Sequence, residues 1–224
     1  MIGLQNLPQI ITAIGGLGTA AFGLVEATKV FGGGVNHIGF KGIRKAVTPL
    51  IPSGANALAP QKIVATLQAN WFNGTDLGSQ KAIAKSLIKL NLSPANAPAL
   101  AAETGVDPAV LTAVATSIAA GTPLKPAQSD VYARFDLIIT ALLDEAYQRS
   151  DQVYRNSTKA WAMLFSILLA LGGGFVLHNG NPWNLDDAVE ILVVGLLATP
   201  LAPIAKDLST ALATAVNTLQ LVKK

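Results

Sequence analysis

Uncharged apolar residues run long in three parts of the chain. From Ala160 to Leu177, 18 consecutive residues carry Ser166 as their one hydroxyl. At a helical rise of ~1.5 Å per residue this stretch nearly spans a hydrocarbon core of ~30 Å, so it predicts a transmembrane helix. Trp161 stands at its start, and His178, Asn179, Asn181 and Trp183 follow its end, groups suited to headgroup depth.

Leu7 to Val25 is uncharged over 19 residues but is diluted by Pro8, Gln9, Thr12, Thr19 and four glycines. Gly15, Thr19, Gly23 and Ala27 recur every four residues. In lipid such a ridge of small residues lets backbones approach closely, and we read it as a helix-packing or pore-lining face. No Lys or Arg precedes this run, and Glu26 and Lys29 follow it directly, so a cleaved signal peptide is not expected. The third stretch, Ala188 to Ala205, carries Glu190 near its start and Pro200 and Pro203 near its end, which predicts a kinked or broken helix around Pro200. Beyond it Leu208, Leu212, Val216, Leu219 and Val222 describe an amphipathic helix.

Between the first two stretches, proline and glycine punctuate short amphipathic runs, and no strand alternation occurs. Gly32 to Gly34 and Pro49 to Pro60 read as connector. A helix over 61–72 presents Ile63, Leu67 and Trp71; a second runs to Asn91, capped by Asp76 or Ser79. Its other side carries Lys81, Lys85 and Lys89, a stripe that reads as a solvated face or as a surface for lipid phosphates or an acidic partner. Ser93-Pro94 and Asp107-Pro108 each announce a further helix start. From Ser129 nothing breaks the chain until Gly172, so one helix enters the membrane from the soluble side, with Val131, Phe135, Ile138 and Leu142 as its packing seam. Tyr147, Tyr154 and Trp161 repeat every seven residues and form a candidate oligomer contact.

The pattern predicts an all-α integral membrane protein. Its parts are a first transmembrane helix over 1–31, a cytoplasmic connector and small helical module over 32–128, and a long helix over 129–178 that becomes the second span. A short external loop over 179–187, a third transmembrane helix over 188–206 and an amphipathic C-terminal helix over 207–224 follow.

Charge supports this layout and narrows the chemistry. Of 16 Lys and Arg, 13 lie between Lys29 and Lys159, and the rest are Lys206, Lys223 and Lys224. Three crossings with the N-terminus outside and the C-terminus inside place all of them on the cytoplasmic face. Lys41, Arg44 and Lys45, just past the first span, are candidates for lipid headgroups. Only 13% of residues are charged, against ~25% in soluble domains. A net charge of +3 is too small for a dedicated nucleic-acid binder, and Ala109 to Ala120 holds no side chain that could read bases. With no cysteine and two histidines, disulfides, zinc fingers, iron–sulfur ligation and thiol chemistry drop out. No nucleotide-binding, metalloprotease or serine-hydrolase motif occurs, so neither catalytic residues nor a metal or cofactor are expected.

The expected protein is a non-enzymatic, multi-pass subunit of a bacterial inner membrane that anchors or assembles partners, itself or other membrane proteins, amid lipid. The alternative is a pore-forming homo-oligomer. Three spans with a basic inner C-terminus resemble the layout of some phage holins; the resemblance is one of topology, carried by no motif, and the helical insert departs from it.

Overall fold

A computed structural model describes residues 7–53, 58–177 and 184–202. Every regular element among them is helical. In chain order these are α1 (Leu7–Val30), α2 (Asn36–Val47), α3 (Pro60–Phe72), α4 (Leu77–Asn91), α5 (Ala97–Thr104), α6 (Pro108–Ala119), α7 (Pro126–Leu177) and α8 (185–202). They fall into two units: Asn36–Tyr154, and Met1–Val35 together with Arg155–Lys224. The helical module therefore extends past residue 128 and includes the first half of α7. The amphipathic C-terminal helix and the loop aromatic Trp183 fall outside the described residues.

The local chemistry of the starts and stops explains most boundaries. Asp76 accepts a hydrogen bond from Ser79 N at 2.9 Å and Asp107 one from Val110 N at 2.8 Å, each satisfying an otherwise unpaired amide of a first turn. Gly105 closes α5 in the left-handed region (φ 64°), where a side chain would be strained. The expected start at Ser93-Pro94 moves downstream. Ser93 N donates to Asn96 Oδ1 at 2.7 Å, and Asn96 donates back to the Asn91 carbonyl, so a side-chain turn occupies 93–96 and α5 begins at Ala97. Pro126 opens α7, three residues earlier than Ser129, and the helix runs without interruption for 52 residues. Between the two expected connector stretches, Gly32 to Gly34 and Pro49 to Pro60, α2 forms and buries Phe40, Ile43 and Val47.

Five short helices and the first half of α7 enclose one apolar core in the Asn36–Tyr154 unit. Ile43, Ile63, Leu67, Ile88, Leu100 and Leu111 meet Phe135, Ile139, Leu143 and Tyr147 there. The seam on α7 thus differs from the expected one. Phe135, Ile139, Leu143 and Tyr147 lie four apart and are fully buried, whereas Val131 and Ile138 sit at the core's edge and Leu142 is 36% exposed. The 4-3-4 seam suits a long partner running alongside; here α7 meets helices of only 8 to 15 residues, and its i+4 ridge does the packing.

The lysine stripe of α4 also finds its partner inside the chain. Lys81 pairs with Asp144, while Lys85 and Lys89 reach Asp136 at 3.1 and 2.9 Å. Lys85 also lies 3.3 Å from Thr140 Oγ1, and the Lys89 ammonium stands 4.9 Å from the centre of the Tyr132 ring. The two rows run antiparallel, each with a period of four. Hydrogen bonds from Lys89 and then Lys85 hold the Asp136 carboxyl below the usual carboxylate range, against the opposing effect of its partial burial.

Because its folded-state pKa is depressed, Asp136 contributes stability above the carboxylate's unfolded-state pKa, and this is lost as pH falls through the folded-state value. Asp136→Asn should cost about 1 kcal/mol at neutral pH, a drop of roughly 2–4 °C in melting temperature. Thermal melts across a pH series should show the gap between Asp136→Asn and the parent closing at acid pH; a gap that widens there would refute the ladder's role. Tyr147 is fully buried and its hydroxyl has no partner among the described residues. Tyr147→Phe should therefore stay within about 0.5 kcal/mol of the parent and Tyr147→Ala lose ~3–5 kcal/mol in the same melts.

Candidate functional site

Two helices are long and apolar enough to cross a membrane: α1 over Ile10–Val30, and α7, whose apolar stretch begins near Ala160. The third expected span, 188–206, does not join them. Its described part, α8, is 18 residues long but carries Asp186, Asp187 and Glu190 in its first two turns. In the sequence the uncharged run is only 191–205, ~22 Å at helical rise against a hydrocarbon core of ~30 Å. Asp187 accepts from Asn184 N at 3.2 Å, closing the first turn of α8. Within the described residues the helix continues through Pro200 to 202.

In their shared unit α1, the second half of α7 and α8 pack through their smallest residues. Gly15, Gly18, Ala21 and Val25 form the buried side of α1. A Cβ on Gly18 would collide with the Ala198 carbonyl and stand 3.0 Å from Ala202 Cβ, so only glycine admits α8 at this distance. On α8 the buried positions are Gly195, Ala198, Thr199 and Ala202. A Cβ on Gly195 would lie 2.8 Å from Ile167 Cα. Beside that contact Ser166 donates to the Gly195 carbonyl at 2.7 Å, and Thr199 Oγ1 stands 3.3 Å from it. The buried hydroxyls are thus satisfied between helices.

The outward side is the reverse. Leu164, Leu168, Phe175 and Val176 of α7, and Val189, Leu192, Val193 and Leu197 of α8, are all more than 40% exposed. Small and hydroxylated inside, large and apolar outside inverts the arrangement of the Asn36–Tyr154 unit, whose core holds the bulky residues. A surface of this kind is costly in water and suited to hydrocarbon.

The residues singled out in the sequence separate under these conditions. Of Gly15, Thr19, Gly23 and Ala27, Gly15 is buried and the other three are exposed. Thr19 donates to the Gly15 carbonyl at 3.0 Å, within its own helix. The face of α1 that packs inside the chain is thus centred on Gly18, one step round from the ridge. A Cβ on Gly16 or on Gly23 would meet nothing within 4 Å. The aromatic heptad also divides. Tyr147 lies in the core, and Tyr154 packs edge-on against Trp71 at 5.8 Å, both within the Asn36–Tyr154 unit; Trp161 is 43% exposed. Burial removes Tyr147 from any oligomer contact. Lys41, Arg44 and Lys45 are all exposed on α2.

Gly18 and the matching row Gly195, Ala198 and Ala202 escaped sequence reasoning, although their three- and four-residue spacing was visible. The acidic row on α7 was equally visible and went unmatched to the lysines. Among the described residues no group of three His, Asp or Glu is placed to hold a metal ion. Compared with known proteins, the chain matches no family, no curated protein and no solved structure.

Gly18→Leu should disrupt the packing of α1 on α8, costing at least ~1–3 kcal/mol, whereas Gly16→Leu should leave the fold unchanged. Detergent-phase thermal melts of the two variants test this; equal melting temperatures would place α8 elsewhere.

Proposed function

We propose that this chain is a non-enzymatic inner-membrane anchoring or assembly subunit that self-associates through the free face of α1. The observation carrying this reading is the inverted packing of the α1, α7 and α8 unit, which uses up small residues on one side of α1 and leaves a second row open. Gly16, Ala20, Gly23 and Ala27 follow 4-3-4 spacing and are all exposed. That is the spacing of a helix pair, with residues small enough for close backbone approach.

In this reading α1 and the second half of α7 cross a bacterial inner membrane and α8 lies against them. The 13 cations between Lys29 and Lys159 then lie in the cytoplasm, with the N-terminus outside. Lys41, Arg44 and Lys45 sit on a helix without a single carboxylate, 11 to 15 residues past the end of α1, and face anionic headgroups at about 1 kcal/mol per charge. What supports the assembly role is the open row on α1.

Cross-linking in native membranes should give a dimer or higher oligomer, reduced at least about tenfold by Gly23→Leu, since ~1.4 kcal/mol of lost helix packing is a factor of ten. The fold of the protomer should be retained, because nothing among the described residues packs on Gly23. A chain that stays monomeric defeats the proposal. Reproducible unitary currents in planar bilayers, abolished by Gly15→Leu or Gly23→Leu, would replace it with a pore-forming oligomer.

A further inference from the structure

Within the Asn36–Tyr154 unit, α2 crosses α7 at two glycines. A Cβ on Gly42 would stand 2.5 Å from Ser150 Oγ, and one on Gly39 would stand 2.5 Å from Trp71 Cζ2 and 2.9 Å from Tyr154 Cβ. Beside this close crossing lies a cleft of about 520 Å³, within the ~300–1,000 Å³ range of small-molecule sites. Ile38, Leu50, Leu142, Ala146 and Val153 give it apolar walls. Lys45, Arg149, Glu103 and Glu145 bring charge to the same cleft.

These four charges do not neutralise one another as those of the α4–α7 ladder do. Lys45 and Glu103 make no hydrogen bond or ion pair with any described residue, and Arg149 meets Glu145 only at 3.8 Å, both side chains being more than 70% exposed. The cleft thus combines an apolar body with two cations and two carboxylates, of which Lys45 and Glu103 have no partner among the described residues while Arg149 and Glu145 share one long, exposed pair. An anionic amphiphile would be attracted by half of these groups and repelled by the other half, and so would a cationic one. A molecule with both an acid group and a primary ammonium matches all of them, the ammonium N–H donors facing carboxylate and the acid oxygens facing lysine and guanidinium.

We infer that the α2–α7 cleft binds a zwitterionic amphiphile, with its acid group at Lys45 and Arg149, its ammonium at Glu103 and Glu145, and its apolar part against Ile38, Leu142 and Val153. The inference rests on the helical unit alone and holds whether or not the spans prove to cross a bilayer.

The test titrates full-length protein in uncharged maltoside detergent with lysophosphatidylethanolamine, reading melting temperature and intrinsic fluorescence. Saturable binding of this lipid is expected, with lysophosphatidylglycerol of the same chain length at least about tenfold weaker, the factor carried by one charge-assisted hydrogen bond. Free O-phosphoethanolamine should bind more weakly than the lipid; equal affinity would mean that the head alone is the ligand and would overturn the amphiphile. Glu103→Lys should exchange the preference in favour of lysophosphatidylglycerol, and Lys45→Glu should weaken lysophosphatidylethanolamine about tenfold. Both positions are exposed, so the ligand-free melting temperature should match the parent in each variant. Equal affinities for the two lipids, non-saturable uptake, or indifference to both substitutions would overturn the site. The cross-linking pattern assigned to α1 should be unchanged throughout, so failure here leaves the self-association reading intact, and the reverse.

Discussion

A helix of 52 residues, continuous even through Gly172 to Gly174, has to satisfy two different kinds of burial with one backbone, and α7 organises the packing around that demand. Its first half presents Phe135, Ile139, Leu143 and Tyr147 to a core of bulky side chains, with Asp136 and Asp144 beside them for the lysines of α4. Its second half presents Ala162, Ser166 and Gly174 inward and leaves Leu164, Leu168 and Phe175 outside. Where water is the surrounding solvent, large apolar groups gain most by going in. Where hydrocarbon surrounds the helix, that gain vanishes, and what remains is dispersion between closely approaching backbones, which only small residues allow.

The two units are consistent with this change of solvent in their polar groups as well. In the Asn36–Tyr154 unit, charge is handled by pairing at the edge of the core, half in water, where each pair contributes modestly and mainly fixes the alignment of α4 on α7. In the other unit there is no such ladder among the described residues. The hydroxyls of Ser166 and Thr199 instead meet each other and a carbonyl of the neighbouring helix, so these buried polar groups find their partners inside the protein.

Small residues do opposite work in the two units. Gly39 and Gly42 are single exceptions in an ordinary core, allowing α2 to cross α7 closely and leaving a cleft beside the crossing. Gly18 and Gly195 belong to the general texture of their helices, where close approach is the rule. The second row on α1, with Gly16 and Gly23 open, has no counterpart among the described residues.

Much of the architecture was legible along the chain. The apolar runs, the Asp76 and Asp107 caps and the unbroken stretch ahead of Gly172 are local facts, and local backbone chemistry decides helices. Sequence alone therefore determined the helical class, most boundaries and two stretches fit for a membrane. It counted three spans because hydropathy tolerated Glu190, whereas the described part of α8 carries Asp186, Asp187 and Glu190 in 18 residues and only α1 and α7 are long and apolar enough to cross. Only the tertiary structure decided which face of each helix is used. A ridge centred on Gly15 and Gly23 and one centred on Gly18 differ by a fraction of a turn, and the choice between them belongs to α8, which lies 180 residues further along. The same holds for the lysines of α4: their period of four was visible, but whether water, lipid or carboxylate met them depended on α7 folding back alongside, a long-range pairing that no local pattern encodes.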